Sequence, residues 1–141
     1  MSTPPPEGRG ARLALADALA RAGLEPGDVD YVNLHGTATP KNDEVEAKLL
    51  PRFATRTRAS STKGFTGHTL GAAGALEAVF ALLAIEHGIV PPNLGCSEPM
   101  PEAAPWLALQ PSPQRVDVAL SNSFGFGGNN ACLVFGRGGA T

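Results

Sequence analysis

Two histidines, a lysine, a buried-looking glutamate and a glycine-rich turn carry the reactive groups of this chain. His35 opens the run His35-Gly36-Thr37-Ala38-Thr39, His68 closes Lys63-Gly64-Phe65-Thr66-Gly67-His68, and residues 122–128 read Asn-Ser-Phe-Gly-Phe-Gly-Gly. Two neutral imidazoles approaching from opposite sides can each donate a hydrogen bond to one carbonyl oxygen and hold it as an enolate or oxyanion. A position for His68 at the start of a buried helix would favour this, because the positive end of the helix dipole disfavours a second ring proton. Glu77 lies on an otherwise apolar helix and needs a partner, for which Lys63 is the candidate. The glycines around Phe126 let backbone N–H groups approach a ligand closely.

Taken singly, each group has a plainer explanation. His35 can cap a loop, His68 can end a helix, Lys63 can be solvated, and Glu77 can be exposed. Phe126 can pack, and for Phe124 packing is the better reading. His87 suits the negative end of a helix. No His or Cys pair has HxxxH or CxxC spacing, so no metal site is expected. The glycines at 125–128 lack both GxGxxG spacing and a following helix, and no GxxxxGK[ST] occurs, which argues against nucleotide binding.

These groups need elements to hold them. Leu13, Ala16, Leu19 and Ala20 recur at helical spacing, and Gly23 is a natural stop. Residues 29–34 read as a buried strand. Pro40 suits a first helical turn, and that helix runs through Val45, Leu49 and Leu50 to Pro51. A short strand is expected at 58–62. Residues 72–85 form a helix that is apolar nearly all round, marked by Leu76, Val79, Phe80 and Leu83, and therefore buried. A short strand at 106–109 and firm strands at 116–121 and 131–135 follow, the last two flanking the glycine turn. The pattern is α/β, with helices layered on a sheet. Ligands collect at the carboxyl ends of strands in such sheets, where all three polar segments fall.

The 141 residues make one ordinary domain. Eleven Lys and Arg against thirteen Asp and Glu leave a net charge of −2, which argues against nucleic-acid and membrane-surface partners. Charged residues at 17% and hydrophobic ones at 43% exclude bulk disorder. The start, Met-Ser-Thr-Pro-Pro-Pro, is no signal peptide, and 72–85 is too short for a membrane span of about 20 residues. Cys96 and Cys132 read as intracellular thiols, so the default is a cytoplasmic domain.

The segments VNLHGTATPKND, SSTKGFTGHTLGAAGALEA and NSFGFGGNNA, in this order, resemble the three downstream motifs of the β-ketoacyl-acyl-carrier-protein synthases, condensing enzymes of the thiolase fold. The resemblance implies the C-terminal half of such a fold, with helices on a mixed five-stranded sheet whose first strand is missing. A Pro/Gly-rich start at 1–8 would precede the domain at 9–137.

The resemblance also implies roles. His35 and His68 match the catalytic histidines, which support decarboxylation of malonyl-carrier protein and hold the enolate. Lys63 matches the active-site lysine and Glu77 its acidic partner. Thr37 and Thr39 match threonines that contact the phosphopantetheine arm. Phe126 matches the gating phenylalanine, whose N–H joins the oxyanion hole, and Asp43 matches a residue of the support network. No cofactor is implied, the substrates being carried on phosphopantetheine.

The family's cysteine nucleophile has no counterpart here, since Cys96 sits in a Pro/Gly loop and Cys132 in an apolar strand. Ala38 replaces a glycine found in many members, a tolerable change. The expected partners are acyl carrier protein, whose docking surface lies elsewhere or rests on a few arginines, and a missing N-terminal half or a Cys-bearing chain, in a parent enzyme that is a homodimer. A fragment unable to complete the cycle is the first expectation, and a non-catalytic partner subunit or binding module is the alternative. An apolar patch on the 72–85 helix is expected wherever that half does not cover it.

Overall fold

The computed structural model describes residues 8–138. The expected irregular start at 1–8 therefore lies, Gly8 apart, outside the described residues. Helix α1 (Arg9–Ala22) stops at Gly23, whose φ of 66° is a left-handed cap. Its buried stripe is Ala11, Leu15 and Leu19, four residues apart. Of the residues at helical spacing, Leu19 is buried, and Leu13, Ala16 and Ala20 are exposed. Strand β1 (Tyr31–Asn33) leads into helix α2 (Pro40–Leu49), which starts on Pro40 as predicted. Strand β2 (Arg58–Ser60), the single turn α3 (Lys63–Thr66) and helix α4 (Ala73–His87) follow. Two short strands, β3 (Ile89–Val90) and β4 (Ser112–Pro113), precede β5 (Val118–Phe124) and β6 (Asn130–Gly136).

The main sheet has the order β2-β1-β5-β6. β1 runs parallel to β2 and β5, while β6 is antiparallel to β5. The mixed sheet is confirmed, with four strands among the described residues, the number that a five-stranded sheet without its first strand leaves. The expected strand at 106–109 contributes only an isolated parallel bridge, Ala59 to Leu107. The N–H groups of Trp106 and Leu107 are already bound to the Ala103 carbonyl of the preceding turn, so the ladder cannot extend. Neither α3 nor the antiparallel β3–β4 pair was anticipated, since both are too short to show a period.

Helices cover both faces. Leu15 and Leu19 of α1 and Ala47 of α2 join Val32, Ala59 and Leu120 on one side of the sheet. Ala81, Ala84 and Ile85 of α4 join Tyr31 and Ala119 on the other. In this chain α4 is buried along one side, and its other side is exposed, the apolar patch expected where an N-terminal half does not cover it. Its inner stripe is Ala73, Glu77, Ala81, Ala84 and Ile85, whereas Leu76, Leu83, Val79 (51% exposed) and Leu82 (48% exposed) face outward. The small inner residues bring the helix axis close to the sheet and leave the large ones on the far side. The helical run Leu70–His87 extends beyond the apolar 72–85 stretch to the expected end at His87-Gly88, and it is long and apolar enough by length and composition to cross a membrane. Here its inner stripe packs on the sheet and includes an ion-paired Glu77.

Candidate active site

Because β1, β2 and β5 are parallel, their carboxyl ends share one edge of the sheet, and the three polar loops leave from it. The loop after β1 presents His35. Its backbone is held from below by a residue the sequence reading passed over. The buried Glu46 carboxylate accepts the N–H of His35 at 2.8 Å, that of Gly36 at 2.7 Å, and Asn42 Nδ2 at 2.9 Å. Burial pushes Glu46 up from the usual carboxylate range, and these donors pull against it. The available signal was its place between Val45 and Ala47 on the inward face of α2. Asp43, the expected support residue, accepts from Asn42 Nδ2 at 3.2 Å, its N–H donates to the Thr39 carbonyl at 3.0 Å, and its charge adds to the rise of Glu46.

Gly36 crosses the loop after β2. Ser61 Oγ donates to its carbonyl at 3.0 Å, and a Cβ at Gly36 would lie 2.3 Å from Ser61 Cβ. Its φ of 46° also favours glycine. Ala38, two residues on, has φ 57°, a left-handed backbone that carries strain for alanine and none for glycine.

The His35 and His68 rings meet edge to face, with centroids 5.6 Å apart. Phe124 lies 6.0 Å from His35 and packs beside Ala11, Val45 and Leu49, in line with its packing reading. Burial, and then the nearby Lys63 and His68, lower His35 from 6.5 to about 4, so its imidazole is neutral at pH 7. Its Nδ1 is buried with no hydrogen-bond partner among the described residues. His68 is not at the start of α4. It is exposed, in the loop between α3 and the 3-10 turn Leu70–Ala72. The helix-dipole argument therefore does not carry over. The Leu70 N–H donates to His68 Nδ1 at 3.2 Å instead, which demands the form with its proton on Nε2.

Lys63 and Glu77 form an ion pair, with side chains only 7% and 3% exposed. Burial raises Glu77, and the Lys63 ammonium opposes that rise. The lysine charge is thereby held within reach of His35, whose proton affinity it depresses. Thr37 and Thr39 share a hydroxyl–hydroxyl hydrogen bond of 2.9 Å on the loop carrying His35. The backbone of Phe126 enters a 3-10 turn, Phe126–Gly128, with Gly127 at φ 77° and Gly128 at 83°. The Phe126 side chain lies outside what the structure describes. Burial pushes the Cys132 thiol on β6 up to about 12, the wrong direction for a nucleophile. Among the described residues, no group of three or more His, Cys, Asp or Glu is placed to hold a metal ion.

With this geometry in place, residues 1–97 match the family described as "Beta-ketoacyl synthase, C-terminal domain". The chain belongs to the β-ketoacyl synthases, as part of their C-terminal domain. It is 46% identical over 143 residues to the mitochondrial 3-oxoacyl-[acyl-carrier-protein] synthase of Arabidopsis thaliana, covering 96% of this chain and 31% of that protein. It is also 46% identical to 3-oxoacyl-[acyl-carrier-protein] synthase 2 of Synechocystis sp., covering 96% and 34%. Among solved structures, a ketosynthase in complex with its chain length factor from Xenorhabdus doucetiae superposes with a TM-score of 0.88 at 44% identity, covering 98% of this chain and 36% of that one. The synthase domain thus spans about a third of the length of the relatives it matches, and its thiolase-like fold is theirs.

Proposed function

We propose that this domain supplies the decarboxylating and enolate-holding half of a β-ketoacyl-acyl-carrier-protein synthase. The observation that carries the proposal is the meeting of His35, His68 and the Lys63–Glu77 pair at one sheet edge. A malonyl thioester enters on the phosphopantetheine arm of an acyl carrier protein, with Thr37 and Thr39 along the arm. Neutral His35 and the Nε2–H of His68 donate to the thioester carbonyl oxygen. The bond to the carboxylate then breaks, carbon dioxide leaves, and its electron pair passes into the thioester enolate that the two rings stabilise. The enolate carbon attacks an acyl-cysteine carbonyl, a carbon–carbon bond forms, and the cysteine thiolate departs. The phenylalanine at 126 gates that encounter, and its backbone N–H joins the oxyanion hole.

The cysteine comes from an N-terminal half or a partner chain, because Cys132 is held protonated and Cys96 lies in the loop after Pro92. The reading needs no resident metal or cofactor, and it places the parent enzyme as a cytoplasmic homodimer. Solved relatives support carrier and partner contacts. One is a ketosynthase with its chain length factor, and another is a type II polyketide ketosynthase in complex with its acyl-carrier protein. A purely non-catalytic partner would not need the converged histidines and lysine. The test joins this chain to a cysteine-bearing N-terminal ketosynthase half and follows carbon dioxide release from malonyl-carrier protein. His35→Ala and His68→Ala are each expected to lower the rate by about 100-fold or more. Rates equal to the parent's would reject the proposal.

A further inference from the structure

Beneath the site runs a second set of polar side chains that the proposed reaction does not use. Tyr31, Asn33, Ser60 and Thr62 are all buried, at 0%, 0%, 0% and 1% exposure. They form one hydrogen-bonded chain. Asn33 Nδ2 lies 3.0 Å from Tyr31 Oη and 3.3 Å from Thr62 Oγ1, and Tyr31 Oη lies 3.0 Å from Ser60 Oγ. An amide nitrogen has two protons, and here both are donated. Tyr31 Oη, accepting from Asn33, shares a hydroxyl–hydroxyl bond with Ser60 Oγ in which either can be the donor. Burial raises the Tyr31 phenol, so it keeps its own proton. The strand register explains why the chain exists: Tyr31 and Asn33 alternate to the same face of β1, the face covered by α4, and Asn33 pairs with Ser60. Thr62 ends the chain, immediately before Lys63. Its carbonyl accepts the N–H groups of Phe65 and Thr66, closing α3.

We infer that Asn33, braced by Tyr31 and Ser60, is a positioning residue: through Thr62 it anchors the start of α3 and so holds Lys63 against Glu77 and beside His35. No residue of α3 is buried as a whole; beside the Thr62 carbonyl, the turn is held where Gly64 lies against Leu94 and where the Lys63 N–H donates to Ser61 Oγ at 3.3 Å. The inference rests on the reading of Lys63 as part of the reacting site. An interior polar chain of four members is costly to leave half-made, which ties the position of each to the others.

Two readouts test it on this chain joined to a cysteine-bearing N-terminal half. One is the midpoint of His35 by histidine NMR, and the other is carbon dioxide release from malonyl-carrier protein. The groups facing His35 are Lys63 and His68, with Glu77 behind Lys63. Asn33→Ala and Thr62→Val are expected to lower kcat about tenfold with KM within twofold. Both should also raise the His35 midpoint from about 4 toward 6.5, in the direction of Lys63→Met. Thr62→Ser, which keeps the hydroxyl, is expected to behave as the parent. Tyr31→Phe keeps the ring in the core and is expected to show the same two changes, which covers the case in which Asn33→Ala does not fold. Folded Thr62→Val and Tyr31→Phe variants with the parent kcat and the parent His35 midpoint would overturn the inference. If Lys63→Met leaves carbon dioxide release unchanged, the proposed function fails instead, and the His35 midpoints still decide whether Asn33 positions Lys63.

Discussion

His35 shows how a single side chain acquires its chemistry from its surroundings. Its ring is partly buried and faces an ammonium held in place by Glu77, so the proton it would ordinarily take near 6.5 is resisted until about 4. The consequence for stability has a definite sign. The unfolded chain protonates this histidine more readily, so its contribution is present above about 6.5 and is lost as pH falls through about 4. Glu46 and Glu77, raised by burial, act in the opposite sense. Urea midpoints of the parent and His35→Gln, compared at pH 7 and pH 4.5, cancel those shared effects. The parent's stability relative to the variant is expected to decline at the lower pH, and an unchanged difference would contradict the depressed proton affinity. His35 and Lys63 were legible in the sequence because polar residues interrupt apolar elements there. Glu46 was not, because a carboxylate on a helix shows its burial only once the helix has a neighbour.

At the scale of elements, the site depends on loops crossing at close range. The turn after β1 and the turn after β2 touch at Gly36 and Ser61, where there is no room for a Cβ. Gly36→Ala is expected to destabilise the domain by about 2 kcal/mol or more, from clash and left-handed backbone together. Ala38→Gly is expected to stabilise it by about 0.5–1 kcal/mol, since Ala38 holds φ 57° where glycine is unstrained. Thermal or urea unfolding of the two variants checks the contrast, and the same sign for both would contradict it. The sequence indicated α1, α2, α4 and the flanking strands because each is long enough to show a period or a stop signal. It did not indicate α3 or the β3–β4 pair. These are held by partners remote in the chain, such as Thr62 with Asn33 and Gln114 N–H with the Gly88 carbonyl.

For the molecule as a whole, the dominant feature is the outer face of α4. Leu76, Val79, Leu82 and Leu83 are exposed there, and Phe65 and Leu70 are exposed on the segments leading into that helix. A cluster of exposed apolar side chains on this scale is a surface for association. Val79→Lys with Leu82→Lys is expected to reduce self-association of the chain in light scattering, with a change in unfolding free energy of about 0.5 kcal/mol or less. A large loss of stability would show that these side chains are core residues of the chain by itself.

The sequence by itself determined the family and the α/β layering, and it singled out the groups that we propose hold an enolate. Those follow from local patterns: residue types at set spacings, helix stops, and polar runs at strand ends. Only the tertiary structure decided that Glu46 holds the His35 turn, that His68 is fixed by a backbone N–H rather than a helix dipole, and that α4 turns its large residues outward. Each of these depends on which face an element presents to partners far away in the chain, and that choice is made by packing.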